Sequence, residues 1–230
     1  MCNSPKRYAA MLGLASALAT TAFVLPAAAD ELEVRIVNLT RGQVFSPVIA
    51  WSHKRGFEPF FELGKPASDE LRKIAEDGDV TDMAALLAGD PDVADIATGT
   101  GGIPPGGEEI LTLEATGSAL SVSLASMLVN TNDTFFAVRG ADARKGEVEL
   151  FSPGFDAGTE ANNENCAFVP GPACPQGSGN ARATDDAEGY IFVQPGIHGT
   201  AGGVATSELD PSLHDWRNPV AYIEITRKRR

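Results

Sequence analysis

Apolar and polar residues alternate at a period of two over much of the chain, which is the pattern of half-buried β-strands. Leu32, Val34 and Ile36 alternate with Glu33 and Arg35, predicting a first strand over residues 31–39 with one wet face. A second apolar run covers 43–51 and is interrupted by Ser46-Pro47. Proline donates nothing to a ladder, so an edge, bend or bulge is expected there. Ile110-Leu-Thr-Leu113, then Leu120, Val122 and Leu124 between serines, then 134–139, 147–151, 190–193 and 220–226 supply further strands. Short strands separated by Gly/Pro turns predict an all-β, antiparallel sandwich of about eight strands.

Two stretches depart from that period. Ser68 precedes Asp69-Glu70-Leu71-Arg72-Lys73-Ile74-Ala75-Glu76-Asp77-Gly78, a helix with a capping serine, acids at its positive end and a terminating glycine. A second short helix is predicted over 81–88, with Met83, Leu86 and Leu87 free to pack. The stretch 90–107 is crowded with glycine and proline and is expected to be a loop. Its Gly99-Thr-Gly-Gly lacks the lysine and hydroxyl residue of a phosphate-binding loop, and Pro104-Pro105 follows it. The stretch 152–188 is expected to be a second long loop.

The N-terminus follows a different logic. Lys6 and Arg7 precede an apolar run over 11–25 and the small residues Pro26-Ala27-Ala28-Ala29, the composition of a cleaved secretory signal. Residues 1–29 are therefore assigned to a signal peptide and residues 30–230 to one domain, exported to the periplasm or the exterior. The apolar run falls short of the roughly 20 residues of a membrane span, and none is predicted elsewhere. Without Lys6 and Arg7, 16 of the 18 Lys+Arg remain against 31 Asp+Glu, a formal charge of −15. Such a surface excludes nucleic acid as a natural partner. The terminal Arg227-Lys-Arg-Arg230 reads as a solvated tail.

Four features carry candidate chemistry. Cys166 and Cys174, the cysteines of the mature chain, predict a disulfide in an oxidising compartment. Asn38-Leu39-Thr40 fits the glycosylation sequon. His53, His198 and His214 define an alternative reading, a periplasmic metalloenzyme holding a transition metal, although no HxH or HExxH spacing supports it. No Gly-x-Ser-x-Gly elbow presents a nucleophile to them. Finally, Asn132-Asp133-Thr134-Phe135-Phe136 and Phe155-Asp156-Ala157-Gly158-Thr159-Glu160 set carboxylates beside aromatic strands. Such loops serve equally as turns or as an oxygen-rich site for a hard cation.

The same residues carry a resemblance. Phe45-Ser46-Pro47 with Ser52-His53, Gly64-Lys-Pro-Ala-Ser68 with Leu71 and Ala75-Glu76-Asp77-Gly78, Asn132-Asp133 before Phe135-Phe136, and Phe155-Asp-Ala-Gly-Thr-Glu160 together resemble the spondin N-terminal domain family in its secreted bacterial form. The resemblance spans most of the mature chain. It implies a C2-like β-sandwich that binds Ca²⁺ at loops on one end, with Asp133, Asp156 and Glu160 as metal ligands. Glu160 stands where animal members usually have aspartate, and Arg139 where they often have an acid. The implied function is a secreted calcium-binding module for adhesion or ligand binding, non-catalytic, whose partner is an unknown extracellular protein or glycan.

Overall fold

The computed structural model describes Met1 and residues 29–174 and 181–229. The signal-peptide assignment falls almost wholly on 2–28, outside the described residues. Ten strands and three short helices follow in the order β1 (Asp30–Asn38), β2 (Ile49–His53), α1 (Asp69–Asp77), α2 (Thr81–Ala88), β3 (Val93–Thr98), β4 (Glu108–Ala115), β5 (Ser121–Met127), β6 (Thr134–Asp142), β7 (Glu147–Ser152), β8 (Gly154–Asp156), β9 (Phe192–Val193), α3 (Pro211–His214) and β10 (Ala221–Lys228). They form two antiparallel sheets, a four-stranded one ordered β4-β1-β10-β7 and a six-stranded one ordered β3-β2-β5-β6-β8-β9. The expected all-β sandwich is present with two more strands than predicted. Among the described residues no helix is long and apolar enough to cross a membrane.

The four-stranded sheet follows the period-two pattern directly. Leu32, Val34 and Ile36 are buried while Glu33 and Arg35 lie outward, and Val34 stands opposite Ile225 on β10 and Leu111 on β4. Their inner face meets Val122, Leu124, Phe136 and Val138 of the six-stranded sheet in the main core.

The six-stranded sheet is covered on both sides. All seven residues of β5 are buried, because its other face packs under α1 and α2. There Ile49, Trp51, Ala125 and Phe135 meet Leu71, Ile74, Met83 and Leu87. Burying each of these large side chains contributes about 1.5–3 kcal/mol. Ser68 caps α1 through its side chain, which accepts the Leu71 N–H at 3.3 Å. Gly78 ends the helix at φ 66°, and a Cβ there would meet the Ser46 Cβ at 2.6 Å, so both conformation and close approach require glycine.

Two strands lie inside the stretches expected to be loops. β3 occupies part of 90–107 and pairs with β2, and β8 occupies the start of 152–188 and pairs with β6. The Ser46-Pro47 interruption falls where Phe45 makes isolated bridges to Ile103 and Leu128, just before β2 begins. The predicted disulfide Cys166–Cys174 is formed, with a Cα–Cα distance of 5.1 Å. Asn38 is 1 % exposed. Its Nδ2 donates to the Gln43 and Ile103 carbonyls and its Oδ1 accepts from both the N–H and the hydroxyl of Thr40.

Candidate functional site: a buried acid cluster at one rim

Pairing of β6 with β8 brings the two acidic motifs together. Thr134 stands opposite Asp156, so Asp133, one residue earlier, lies at the same end of the ladder, and the Ala157 N–H closes on the Asp133 carbonyl at 3.1 Å. The chain then turns through Gly158. Its φ of 67° and a Tyr190 carbonyl 2.3 Å from where a Cβ would sit admit no side chain. That turn aims the Thr159 and Glu160 N–H groups back at Asp133 Oδ2, at 2.7 and 3.0 Å, and the Thr159 hydroxyl reaches the same oxygen at 3.2 Å.

Asp133, Asp156 and Glu160 are each 0 % exposed. Asp156 Oδ1 accepts the Gly158 N–H at 2.7 Å, and its Oδ2 accepts from the amides of Asn162 (2.7 Å) and Gln194 (2.8 Å). Glu160 Oε1 accepts the Ala183 N–H at 2.9 Å and lies 3.9 Å from Arg182 Nε. Asp133 Oδ1 and Glu160 Oε2 are different. Both are buried, and among the described residues neither has a donor.

Burial of ionised carboxylates raises their proton affinity. Burial pushes Asp133 up, against the N–H bonds from Glu160 and Thr159, and it pushes Asp156 up together with the neighbouring Asp133 charge. Burial, with the negative charges of Glu76 and Asp133 adding to it, raises Glu160 to about 8. This set of three buried acids on loops at one end of the sandwich offers carboxylate oxygens, the ligand type that hard cations take. It is not a finished cage: among the described residues no three His, Cys, Asp or Glu side chains are grouped so as to hold a metal as they stand. The Asp133 and Glu160 oxygens already tied to N–H groups leave only the second oxygen of each available.

Three residues of this cluster escaped sequence reasoning. Asn162 and Gln194 clamp Asp156, and Asn162 also donates to Glu188 Oε1 at 3.0 Å. Gln194 carries a faint signal, a polar side chain closing the apolar run Ile191-Phe-Val. Asn162 and Glu188 carry none. Arg139 donates to the Phe61 carbonyl at 3.0 Å and lies over the Phe61 ring.

The histidines have separate surroundings. His53 Nε2 pairs with the Ser123 hydroxyl and its Nδ1 with the Lys54 carbonyl, both at 2.9 Å, and burial lowers its proton affinity. The His198 N–H donates to Glu164, and His214 Nδ1 accepts the Asp210 N–H. Ser52 donates to the Glu114 carbonyl, Ser46 bonds Ser126, and Asp215 accepts the Ile197 N–H. The chain matches no family model and no curated protein. The spondin resemblance therefore rests on the motif residues alone.

Proposed function

We propose that this chain is a secreted, non-catalytic spondin-type module in which the acid cluster holds Ca²⁺. The observation that carries the reading is the pair of buried, donorless oxygens, Asp133 Oδ1 and Glu160 Oε2. An unpartnered buried carboxylate oxygen costs free energy that a hydrogen bond or a cation must offset. Asp133, Asp156 and Glu160 would hold the ion, with amide and backbone oxygens completing the six to eight that calcium takes. Bound calcium supplies charge neutralisation here. The side chains keep the loop 156–160 folded against the turn before β6 and present that rim to a partner, an extracellular protein or glycan.

Both nitrogens of His53 are engaged within the fold, so nothing in its surroundings favours the histidine-based metalloenzyme. The acidic balance of the mature chain argues against nucleic acid. Calcium binding only to the folded form would stabilise it by about 2.7 kcal/mol at a hundredfold excess over Kd. Thermal unfolding tests this: EDTA should lower the midpoint of the wild-type chain, and the midpoint of Asp156→Asn should no longer respond to calcium. A wild-type midpoint indifferent to both calcium and EDTA removes the reading.

A further inference from the structure

A cleft of about 280 Å³ opens between α2 and the loop 57–60, and it shares no residue with the acid cluster. Met83 and Leu87, one helical turn apart on α2, are 1 and 2 % exposed and form its floor, whereas Leu86 is 57 % exposed at its mouth. Phe57 and Phe60 extend the apolar lining. The core holds both rings: Phe60 meets buried Trp51 edge-on with centroids 4.9 Å apart, and Phe57 lies 4.7 Å from the ring of buried His53. The volume falls just below the roughly 300–1,000 Å³ of drug-sized ligand sites and suits a smaller molecule.

Charge selects what that molecule is. Glu58, Glu70 and Asp90 line the cleft, and among the described residues no lysine, arginine or histidine does. The flanking cations are engaged elsewhere: Lys54 pairs with Asp92, Lys73 with Asp82, and Arg72 with Asp69 and Glu76. Asp90 Oδ1 accepts the Asp92 N–H at 2.8 Å, while the Glu58 and Glu70 carboxylates have no hydrogen bond or ion pair among the described residues. Glu70 stands in the first turn of α1, whose positive end offsets part of its charge. At Asp90 the reverse holds, because α2 ends beside it with no basic residue in its last turn and adds its own negative end. A cleft whose charges share one sign concentrates ions of the other. Phenyl rings beside it add attraction for a cation held over their faces.

The geometry points to a binding site for a small organic cation, an ammonium group carried on an aromatic or branched apolar body, seated between α2 and the loop 57–60. The apolar body covers Met83, Leu86 and Leu87, and the charge lies among Glu58, Glu70 and Asp90. The site stands apart from the calcium reading, since none of its residues belongs to the acid cluster and its test is run in EDTA.

Ligand-observed NMR titration of the purified full chain tests the assignment, with benzyltrimethylammonium chloride as the probe and benzyl alcohol and benzenesulfonate as its neutral and anionic counterparts. The cation should bind saturably, the alcohol about tenfold more weakly or less, and the sulfonate not at all. The triple variant Glu58→Gln, Glu70→Gln, Asp90→Asn keeps the shape of the cleft and the acceptor for Asp92 and removes the charges. It should weaken the cation by about tenfold, a few-fold for each partly exposed charge, and leave the alcohol unchanged. Glu147→Gln, an exposed acid on β7 of the other sheet, should stay within about twofold of wild type. Equal affinity for the cation and the alcohol overturns the proposal, as does a triple variant within about twofold of wild type, or no saturation of wild type by the cation up to about 10 mM. Binding of acetyl-Lys-Phe-Lys-amide without binding of the small cation also overturns it, by assigning the cleft to a protein partner. Should the triple variant not fold, salt decides on the wild type: raising NaCl from about 0.05 to 0.5 M should weaken the cation several-fold and not the alcohol, and an unchanged cation affinity overturns the site.

Discussion

Glu160 and Glu164 stand four residues apart on one loop, both buried, and they solve the burial of a carboxylate in opposite ways. Glu164 accepts the N–H groups of His198 and Gly199 at 2.7 and 2.8 Å and the Ser207 hydroxyl at 2.6 Å, while its own carbonyl accepts from Glu208. That charge is complete within the protein and ties the segment 198–208 to the disulfide loop. Glu160 receives the single Ala183 N–H and leaves its second oxygen bare. Hydrogen-bond counting thus separates a satisfied carboxylate from one with a bare oxygen, although burial alone ranks the two alike.

The comparison breaks first at Glu164. Glu164→Ala strands three donors, of which the Gly199 N–H is buried, and is expected to cost about 1–3 kcal/mol, equally in calcium and in EDTA; denaturant midpoints in the two buffers measure it. A loss confined to calcium would place Glu164 with the cluster instead. Replacing Cys166 and Cys174 together by serine should cost about 2–3 kcal/mol through the freed loop of the unfolded chain, again independent of calcium, and comparison of the same two midpoints checks it. Glu160→Gln should have the reverse sign. Glutamine keeps the acceptor for Ala183 and removes a charge that burial disfavours, so in EDTA at pH 8 its midpoint should match or exceed that of wild type, by up to about 1 kcal/mol, while its calcium response is lost.

The finest test is pH. Asp133, Asp156 and Glu160 have folded proton affinities above those of the unfolded chain, with Glu160 near 8. Between about pH 4.3, where an unfolded glutamate titrates, and pH 8 the folded state therefore binds more protons. Stability in EDTA should fall as pH rises through that window. Calcium held by the cluster, as proposed, would compete with those protons, so any stabilisation it confers should grow over the same range. Thermal scans from pH 5 to 8 with and without calcium read both slopes, and Glu160→Gln should flatten the one in EDTA. Stability in EDTA that rises with pH would contradict the assigned environments.

Much of this molecule was legible in the residue pattern, and what was missed has identifiable causes. β1, β4 and β10 alternate cleanly because one face of their sheet is wet, and α1 carries its own cap and terminating glycine. β5 blurs the period because serine and alanine fill a strand buried on both faces. β3 hides in a Gly/Pro-rich stretch because an edge strand paired on one side needs little apolar surface. β8 spans three residues, too few for any period, yet its pairing with β6 joins the two acidic motifs. Asp133, Asp156 and Glu160 could be named from their motifs. Glu188, Asn162 and Gln194 could not, because they arrive from segments whose approach is decided by tertiary backbone bonds. The sequence also gives no sign that one oxygen of Asp133 and one of Glu160 lack a donor.

The environment of Asn38 bears on how the protein can be made. A glycan joins an asparagine through Nδ2, and in the folded chain that nitrogen is spent on two carbonyls at a side chain 1 % exposed. The sequon is closed to oligosaccharyltransferase once β1 has docked. In a eukaryotic secretory host the enzyme would meet the nascent chain first, and a sugar attached then would keep the end of β1 from closing on Gln43 and Ile103. Host cells that add no N-glycans are thus the appropriate source of native protein, and an Asn38-linked glycoform should be recovered as misfolded material.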